Sequence, residues 1–204
     1  DLRTTLAQLQ VLDASDSHPV VRVPVGQTHL LKQMLDAGAQ TVLVPMVDSV
    51  DQARQLIRDV TYPPNGDRGV GYARSRASRF AEIKDYGLTA DDEICLLVQV
   101  ENLKGSAALD DILTLDGIDG VFIGPADLAA DMGHMGNALH DDVQAVIMNA
   151  LRRIRAAGKA PGILSTHDPM TNAALDAGAQ FVAVGADILL LGKAARALSA
   201  KWQK

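Results

Sequence analysis

The sequence predicts an α/β protein in which strands and helices alternate. The expected architecture is a (β/α)8 TIM barrel whose first two strands are not represented in the chain. Three observations lead there. The hexapeptide LDAGAQ occurs at 35–40 and again at 175–180, each time just before a short apolar run, TVLVPM or FVAVGA. Six such runs alternate with amphipathic stretches, the pattern of parallel strands joined by helical crossovers. Each strand also ends on something polar or conformationally special: Arg22, Pro45, Glu101, Gly124-Pro125, Ser165 and Gly185. Residues of that kind at the C-terminal ends of many strands are the habit of barrels. With 204 residues the chain is short for one, since about 250 is usual. The whole of 1–204 reads as one barrel domain, incomplete at its N-terminus. A doubly wound open sheet also fits the alternation. It would want a Gly-rich turn after its first strand, and VVRVPVGQTH offers a single Gly. The multi-Gly loop GDRGVGYARSR at 66–76 has no strand before it and is a weak dinucleotide fingerprint.

The predicted strands are Val20–Val23, Thr41–Met46, Ile94–Val100, Gly120–Ile123, Ala160–Leu164 and Phe181–Val184. They are short and rich in Val, Ile and Leu, as strands buried on both faces should be. The first helix runs over Gln27–Ala37 and stops at Gly38, where a left-handed residue closes a helix without a Cβ clash. Gly178 does the same before the last strand. A helix over Asp48–Val60 takes Asp48 as N-cap and Asp51 as an acid in its first turn. Another covers Ser106–Leu115. The strongest amphipathic pattern is Asp141–Ala157, with Val143, Val146, Ile147, Ala150, Leu151 and Ile154 on one stripe. Asp168-Pro169 opens the next helix as N-cap and first residue. Ile188–Trp202 closes the chain, with Ile188, Leu189, Leu191, Ala195 and Leu198 offering an apolar face to the barrel or to a neighbouring subunit.

Composition narrows the function. Hydrophobic residues make up 48% of the chain and aromatics only 3%, so the core is aliphatic. A net charge of −6 argues against nucleic-acid binding, which favours basic surfaces. The single Cys, Cys95, lies in an apolar run and has no internal partner, which suits a reducing, cytoplasmic setting. No apolar run reaches the roughly 18 residues of a membrane span, and no signal-peptide pattern is present.

The chemistry centres on two carboxylates. LLVQVEN puts Glu101 at the end of a strand, and GVFIGPADLA puts Asp127 just beyond the next strand. Neighbouring strand ends lie roughly 5 Å apart. Two carboxylates at that spacing repel unless a cation or a proton sits between them. Together with waters and substrate oxygens they form what Mg²⁺ or Mn²⁺ requires. The bland alternative makes Glu101 a helix N-terminal acid and Asp127 an N-cap. Arg22, flanked by Val on both sides, is costly to bury unpaired and calls for an anion. Gln99 alternates with Glu101 and shares its face.

QTVLVPMVDS, YPPNGDRGVG, LLVQVEN, GIDGVFIGPADLAADMG, RAAGKAPGIL and FVAVGAD together resemble the 4-hydroxy-2-oxoheptanedioate aldolase family, the metal-dependent (class II) pyruvate aldolases. The resemblance runs from about Val20 to the end, and its GPADL block is specific. It implies Glu101 and Asp127 as metal ligands, with Mg²⁺ or Mn²⁺ expected and Co²⁺ or Zn²⁺ accepted by the same donors. It implies Gln99 as a substrate-binding residue and Ala126 as a backbone N–H donor to the pyruvate carboxylate. Gly124, Pro125 and Asp127 of the same block belong to the substrate site. Arg22 matches the Arg that stabilises the developing enolate, and Asp36 an Asp that raises the basicity of the catalytic His. Leu164 falls in the GIL segment that lines the pocket. A hexamer, as a trimer of dimers, is implied as well.

From below, a pyruvate unit can chelate one cation through its carboxylate and keto oxygens, and a Lewis acid there lowers the cost of enolate formation. No Lys falls at the C-terminal end of a strand, which argues against a Schiff-base aldolase. The family's acid/base His corresponds to a position upstream of Asp1. None of His18, His29, His134, His140 and His167 replaces it by position. Arg68, Arg74, Arg76 and Arg79 form a basic loop, read as a subunit contact in preference to an anion clamp. The expected reaction is reversible cleavage of a 4-hydroxy-2-oxo acid to pyruvate and an aldehyde. The alternatives are a related barrel lyase acting on a CoA thioester and a catalytically inactive subunit.

Overall fold

The computed structural model describes residues 1–203. Helix α1 (Leu2–Leu12) is capped by Asp1, whose carboxylate accepts from the Thr4 N–H at 2.9 Å. Strand β1 (Val20–Arg22) and α2 (Thr28–Asp36) follow, then β2 (Thr41–Val44) and α3 (Val50–Val60). A loop with two single-turn helices leads to α4 (Tyr86–Glu93), β3 (Cys95–Val100) and α5 (Leu103–Leu113). The second half runs β4 (Gly120–Ile123), α6 (Pro125–Asp131), α7 (Asp141–Ala156), β5 (Ala160–Leu164), α8 (Asp168–Asp176), β6 (Phe181–Ala183) and α9 (Asp187–Trp202).

All neighbouring strands pair in parallel, in the order β1-β2-β3-β4-β5-β6. This corrects the barrel expectation. Among the described residues the sheet has six strands, β1 and β6 each have one neighbour, and the result is an open half-barrel rather than a closed eight-stranded TIM barrel. The doubly wound alternative fails too, because the strand order never reverses. Alternation and polar strand ends describe single units, whereas closure depends on the first and last strands pairing. Nothing in a local pattern encodes that.

The pleat sorts the side chains. Val42, Val44, Leu96, Val98, Val100, Val121, Ile123 and Ile163 face the helices and form the main core with Leu31, Leu56, Leu109, Ile147 and Leu151. The alternate positions form a small concave-face cluster of Leu43, Leu97 and Phe122, extended by Val20, Cys95, Phe181 and Ala183. Parallel strands buried on both faces read as continuous apolar runs for this reason.

Both LDAGAQ joints behave as the sequence requires. Gly38 (φ 102°) and Gly178 (φ 99°) follow the C-caps Ala37 and Ala177 in left-handed conformations. Three cap assignments shift. Ser49, not Asp48, caps α3, its hydroxyl accepting from the Gln52 N–H. Asn102 caps α5, which therefore starts before Ser106. His167 is the N-cap residue of α8, with Asp168 and Pro169 inside the first turn. Helices α1, α4 and α6 lie outside the predicted set, although Leu2, Leu6 and Leu9 at helical spacing carry the signal for α1. Helix α9 buries none of its residues: Ile188, Leu189, Leu190, Leu191, Leu198 and Trp202 are all exposed, so its apolar face does not serve this sheet.

Candidate active site

The C-terminal ends of the strands open on a cavity of about 560 Å³. Leu43, Phe122 and Phe181 form its floor, and Leu164, Leu139 and Met170 form apolar walls. Of the residues singled out from the sequence, Arg22, Gln99, Gly124, Pro125, Ala126, Asp127 and Leu164 all line it.

Glu101 sits at the edge of this cavity, only 1% exposed. Its position follows from β3, where Leu97, Gln99 and Glu101 occupy successive inward places. One carboxylate oxygen accepts from the Met46 N–H at 2.9 Å, and the other accepts from Nε2 of Gln99. Met46 presents that N–H from a left-handed backbone conformation (φ 56°), rare for a residue with a side chain and the kind of outlier that collects at working sites. Gln99 in turn accepts from Nε of Arg22 at 3.2 Å through its amide oxygen. A chain of contacts thus runs from the exposed guanidinium to the buried carboxylate. Arg22 meets a neutral amide here, and its outer face stays open to the cavity.

Space for Glu101 depends on Gly124. A Cβ there would fall 2.8 Å from Gln99 Nε2 and 2.7 Å from Glu101 Cβ, so any other residue would push both side chains aside. Gly124 also starts α6. No side chain caps this helix, and its first intrahelical bond is Leu128 N–H to Gly124 O at 3.1 Å. The N–H groups of Ala126 and Asp127 lie ahead of that bond, at the cavity wall, as ready donors to an anion. Asp127 is exposed in that first turn, and among the described residues nothing donates to its carboxylate.

Burial pushes the Glu101 carboxyl above its ordinary range. The Met46 N–H opposes that shift, the Asp127 charge adds to it, and Arg22 and Gln99 oppose it. A buried carboxylate facing a second acid is short of positive charge. The donors available are oxygens alone, which suits a hard divalent cation completed by water and substrate oxygens. The residues present fit such a group.

Asp36 does not join this site. It ends α2, four residues and a turn before β2 begins, and so belongs to the opposite end of the sheet from Glu101. There it lies 3.8 Å from Nη2 of Arg68. Arg68 is 1% exposed, its guanidinium 4.4 Å over the Tyr62 ring and bonded to the Tyr86 hydroxyl at 3.2 Å. Burial pushes the Tyr62 phenol up to about 12 in spite of the opposing Arg68 charge. Arg76 bonds the Ala37 carbonyl at 2.9 Å and pairs with Asp13. Arg68 and Arg76 are therefore structural, which removes them from an anion clamp. Ser165, Thr166 and His167 also line the cavity, although the sequence marked Ser165 only as a polar strand end, set His167 aside and passed over Thr166. The polar end of β5 was their only signal.

Comparison with known proteins identifies the family. The family model described as HpcH/HpaI aldolase/citrate lyase matches residues 1–194. A hydroxypyruvate/pyruvate aldolase of Roseobacter denitrificans is 55% identical over 204 residues, covering 100% of this chain and 80% of that protein. A 4-hydroxy-2-oxo-heptane-1,7-dioate aldolase of Salmonella paratyphi C is 52% identical over 202 residues, covering 99% and 77%. Among solved structures, an HpcH/HpaI-type aldolase/citrate lyase family protein from Burkholderia cenocepacia superposes with a TM-score of 0.93 at 35% identity, covering 98% of this chain and 80% of that one. The chain belongs to the HpcH/HpaI aldolase/citrate lyase family, and is a lyase.

Proposed function

We propose that this chain is a class II pyruvate aldolase, reversibly cleaving a 4-hydroxy-2-oxo acid to pyruvate and an aldehyde. The observation that carries this reading is Glu101. It is buried, held by Met46 and Gln99, and set beside an open second carboxylate, Asp127, at the mouth of an apolar cavity. Both relatives named above are aldolases, and the substrate class follows theirs.

Glu101 and Asp127 would hold a divalent cation, Mg²⁺ or Mn²⁺ in preference to Co²⁺ or Zn²⁺, which supplies Lewis-acid stabilisation of an enolate. The protein's own groups do the rest. The free N–H groups of Ala126 and Asp127 bind the pyruvate carboxylate at the start of α6. Arg22 holds a fixed positive charge where oxyanion charge grows as the carbon–carbon bond breaks. Gln99 keeps Arg22 and Glu101 in register, and Leu164, Phe122 and Phe181 exclude water from the reacting carbons. Pro125 sets the first turn of α6, and Gly124 keeps the approach to Glu101 open. Asp36 acts at a distance from this cavity, within the Arg68 cluster. The reading includes a homo-oligomer, supported by the uncovered apolar face of α9, with a hexamer as the assembly. A cytoplasmic location fits a chain in which no described helix is long and apolar enough to cross a membrane. A CoA thioester is disfavoured, because the Arg-rich loop lies away from the cavity and two of its guanidinium groups are already engaged.

Calorimetric titration with Mn²⁺ tests the site. Pyruvate should tighten Mn²⁺ binding, and Glu101→Ala or Asp127→Ala should weaken it at least tenfold with the fold intact by circular dichroism. Unchanged Mn²⁺ affinity in both variants would remove the metal-centred reading.

A further inference from the structure

The loop between α6 and α7 and the first turn of α7 carry a cluster that the aldolase chemistry does not use. His134, His140 and Asp142 bring one ligand atom each to within 4.8 Å of one another, and among the described residues they are the one group of three His, Cys, Asp or Glu side chains arranged in this way. Nε2 of His134 lies 4.0 Å and Nδ1 of His140 lies 3.7 Å from the same carboxylate oxygen of Asp142. The two imidazole rings stack, with centroids 3.6 Å apart and planes 19° apart.

The backbone prepares this meeting. Gly133 (φ 83°) and Gly136 (φ 75°) turn the chain back on itself. The His134 N–H is anchored to Ala129 O at 2.7 Å, and the Asn137 and His140 N–H groups close successive turns. Gln144 holds the middle of the loop by donating to Ala138 O at 2.7 Å. Both imidazoles are partly buried, and the Asp142 carboxylate is exposed and free to swing.

We propose that His134, His140 and Asp142 form a second metal site, for a borderline transition metal of the Zn²⁺ class. Two imidazoles and one carboxylate, with water in the fourth place, are a donor set that Zn²⁺ accepts. This differs from the all-oxygen pair at Glu101 and Asp127, which suits a harder ion. Tetrahedral Zn²⁺ at about 2.0–2.1 Å from each donor asks for donor separations of roughly 3.3 Å. The present spacings exceed that, and the nitrogen lone pairs of the stacked rings lie in near-parallel planes, so ligation requires His134 to turn out of the stack and the exposed Asp142 carboxylate to swing toward the ion. Nδ1 of His140 now accepts a long 3.3 Å bond from the Asp142 N–H, which ligation would replace. Gly136, Ala138 and Leu139 of the same loop wall the catalytic cavity. A metal here would therefore pin one wall of that cavity and tie its shape to metal supply.

The test is Zn²⁺ competition against a chromogenic chelator, on the full chain, with Mg²⁺ in large excess to occupy the carboxylate pair. One Zn²⁺ per chain is expected, and binding should persist in Asp127→Asn. His134→Ala should weaken it by at least about tenfold, the loss seen even for outer-shell changes at metal sites, and His29→Ala should leave it unchanged. Zn²⁺ should also slow proteolysis within 133–140 in the wild type and not in His134→Ala. His134 has no capping role, so its replacement leaves α7 intact where His140→Gln need not. Three results would overturn the site: no Zn²⁺ taken from the chelator, equal affinity in His134→Ala, or loss of binding in Asp127→Asn, which would place the ion at the carboxylate pair instead.

Discussion

Glu101 concentrates the argument at the scale of single residues. Its carboxyl is raised by burial, so the metal-free folded state holds that proton more tightly than the unfolded chain does. Linkage then gives the sign. Between the ordinary Glu value and the raised folded value the native state binds more protons, so stability falls as pH rises through that window. A bound cation selects the ionised form and reverses the dependence. With chelator present, the melting temperature should therefore decline as pH rises through the raised pKa. Glu101→Gln should flatten that segment, and saturating Mg²⁺ should invert it. A slope unaffected by Glu101→Gln would show that the carboxyl is not perturbed. Glu101, Gln99 and Asp127 were legible in the sequence because strand alternation and a strand-end position assign them to one face and one end. Met46 was not, because a left-handed backbone leaves no mark in a run that reads as strand to its last residue. The stacking of His134 on His140 was also hidden, since it depends on how two glycines fold a loop.

At the scale of elements, the repeated hexapeptide proved an accurate signal, and the reason is local. A helix must stop, and a left-handed residue stops it; neither requirement depends on the rest of the chain. Gly38→Ala and Gly178→Ala should each destabilise by about 1–2 kcal/mol, the cost of placing a Cβ in the left-handed region. Urea unfolding measures both. Gly38→Ala should cost more, because the new methyl would displace Arg76 from the Ala37 carbonyl and from Asp13. At Gly178 it meets only the Arg155 stem, at 3.0 Å. Equal effects would mean that the Arg76 clamp contributes nothing. Cap assignment was the weaker part of the sequence reading. Asp48 and Ser49 are both good caps, and the difference of one residue is set by how the loop leaves β2 over Glu101, a tertiary matter.

At the scale of the whole molecule, the alternation of strand and helix specified an α/β fold with parallel strands, and the sequential strand order and the sheet's open edges lay beyond it. Six strands in sequential order leave two edges and a concave face, and the same apolar runs would serve a closed barrel equally well. Helix α9 poses the complementary problem. Its pattern shows a hydrophobic face, and only the packed structure reveals that, among the described residues, none of this helix is buried. Monomeric soluble proteins rarely expose so large an apolar surface. Sedimentation should give a homo-oligomer, and Leu189→Glu with Leu191→Glu should shift it to a smaller species while the far-ultraviolet spectrum is kept. A monomer in the unsubstituted chain would contradict the role given to α9.

The central claim is that the Glu101–Asp127 pair would hold a divalent cation whose Lewis acidity acidifies the methyl protons of pyruvate, and testing it needs no knowledge of the aldehyde. Pyruvate in D₂O, followed by proton NMR, tests it directly. In protein carrying the acid/base His expected upstream of Asp1, the account predicts loss of the methyl signal with Mg²⁺ or Mn²⁺, and a signal that persists with chelator or in Asp127→Asn. A methyl signal undiminished at saturating metal, or one that decays equally fast in chelator, would contradict it.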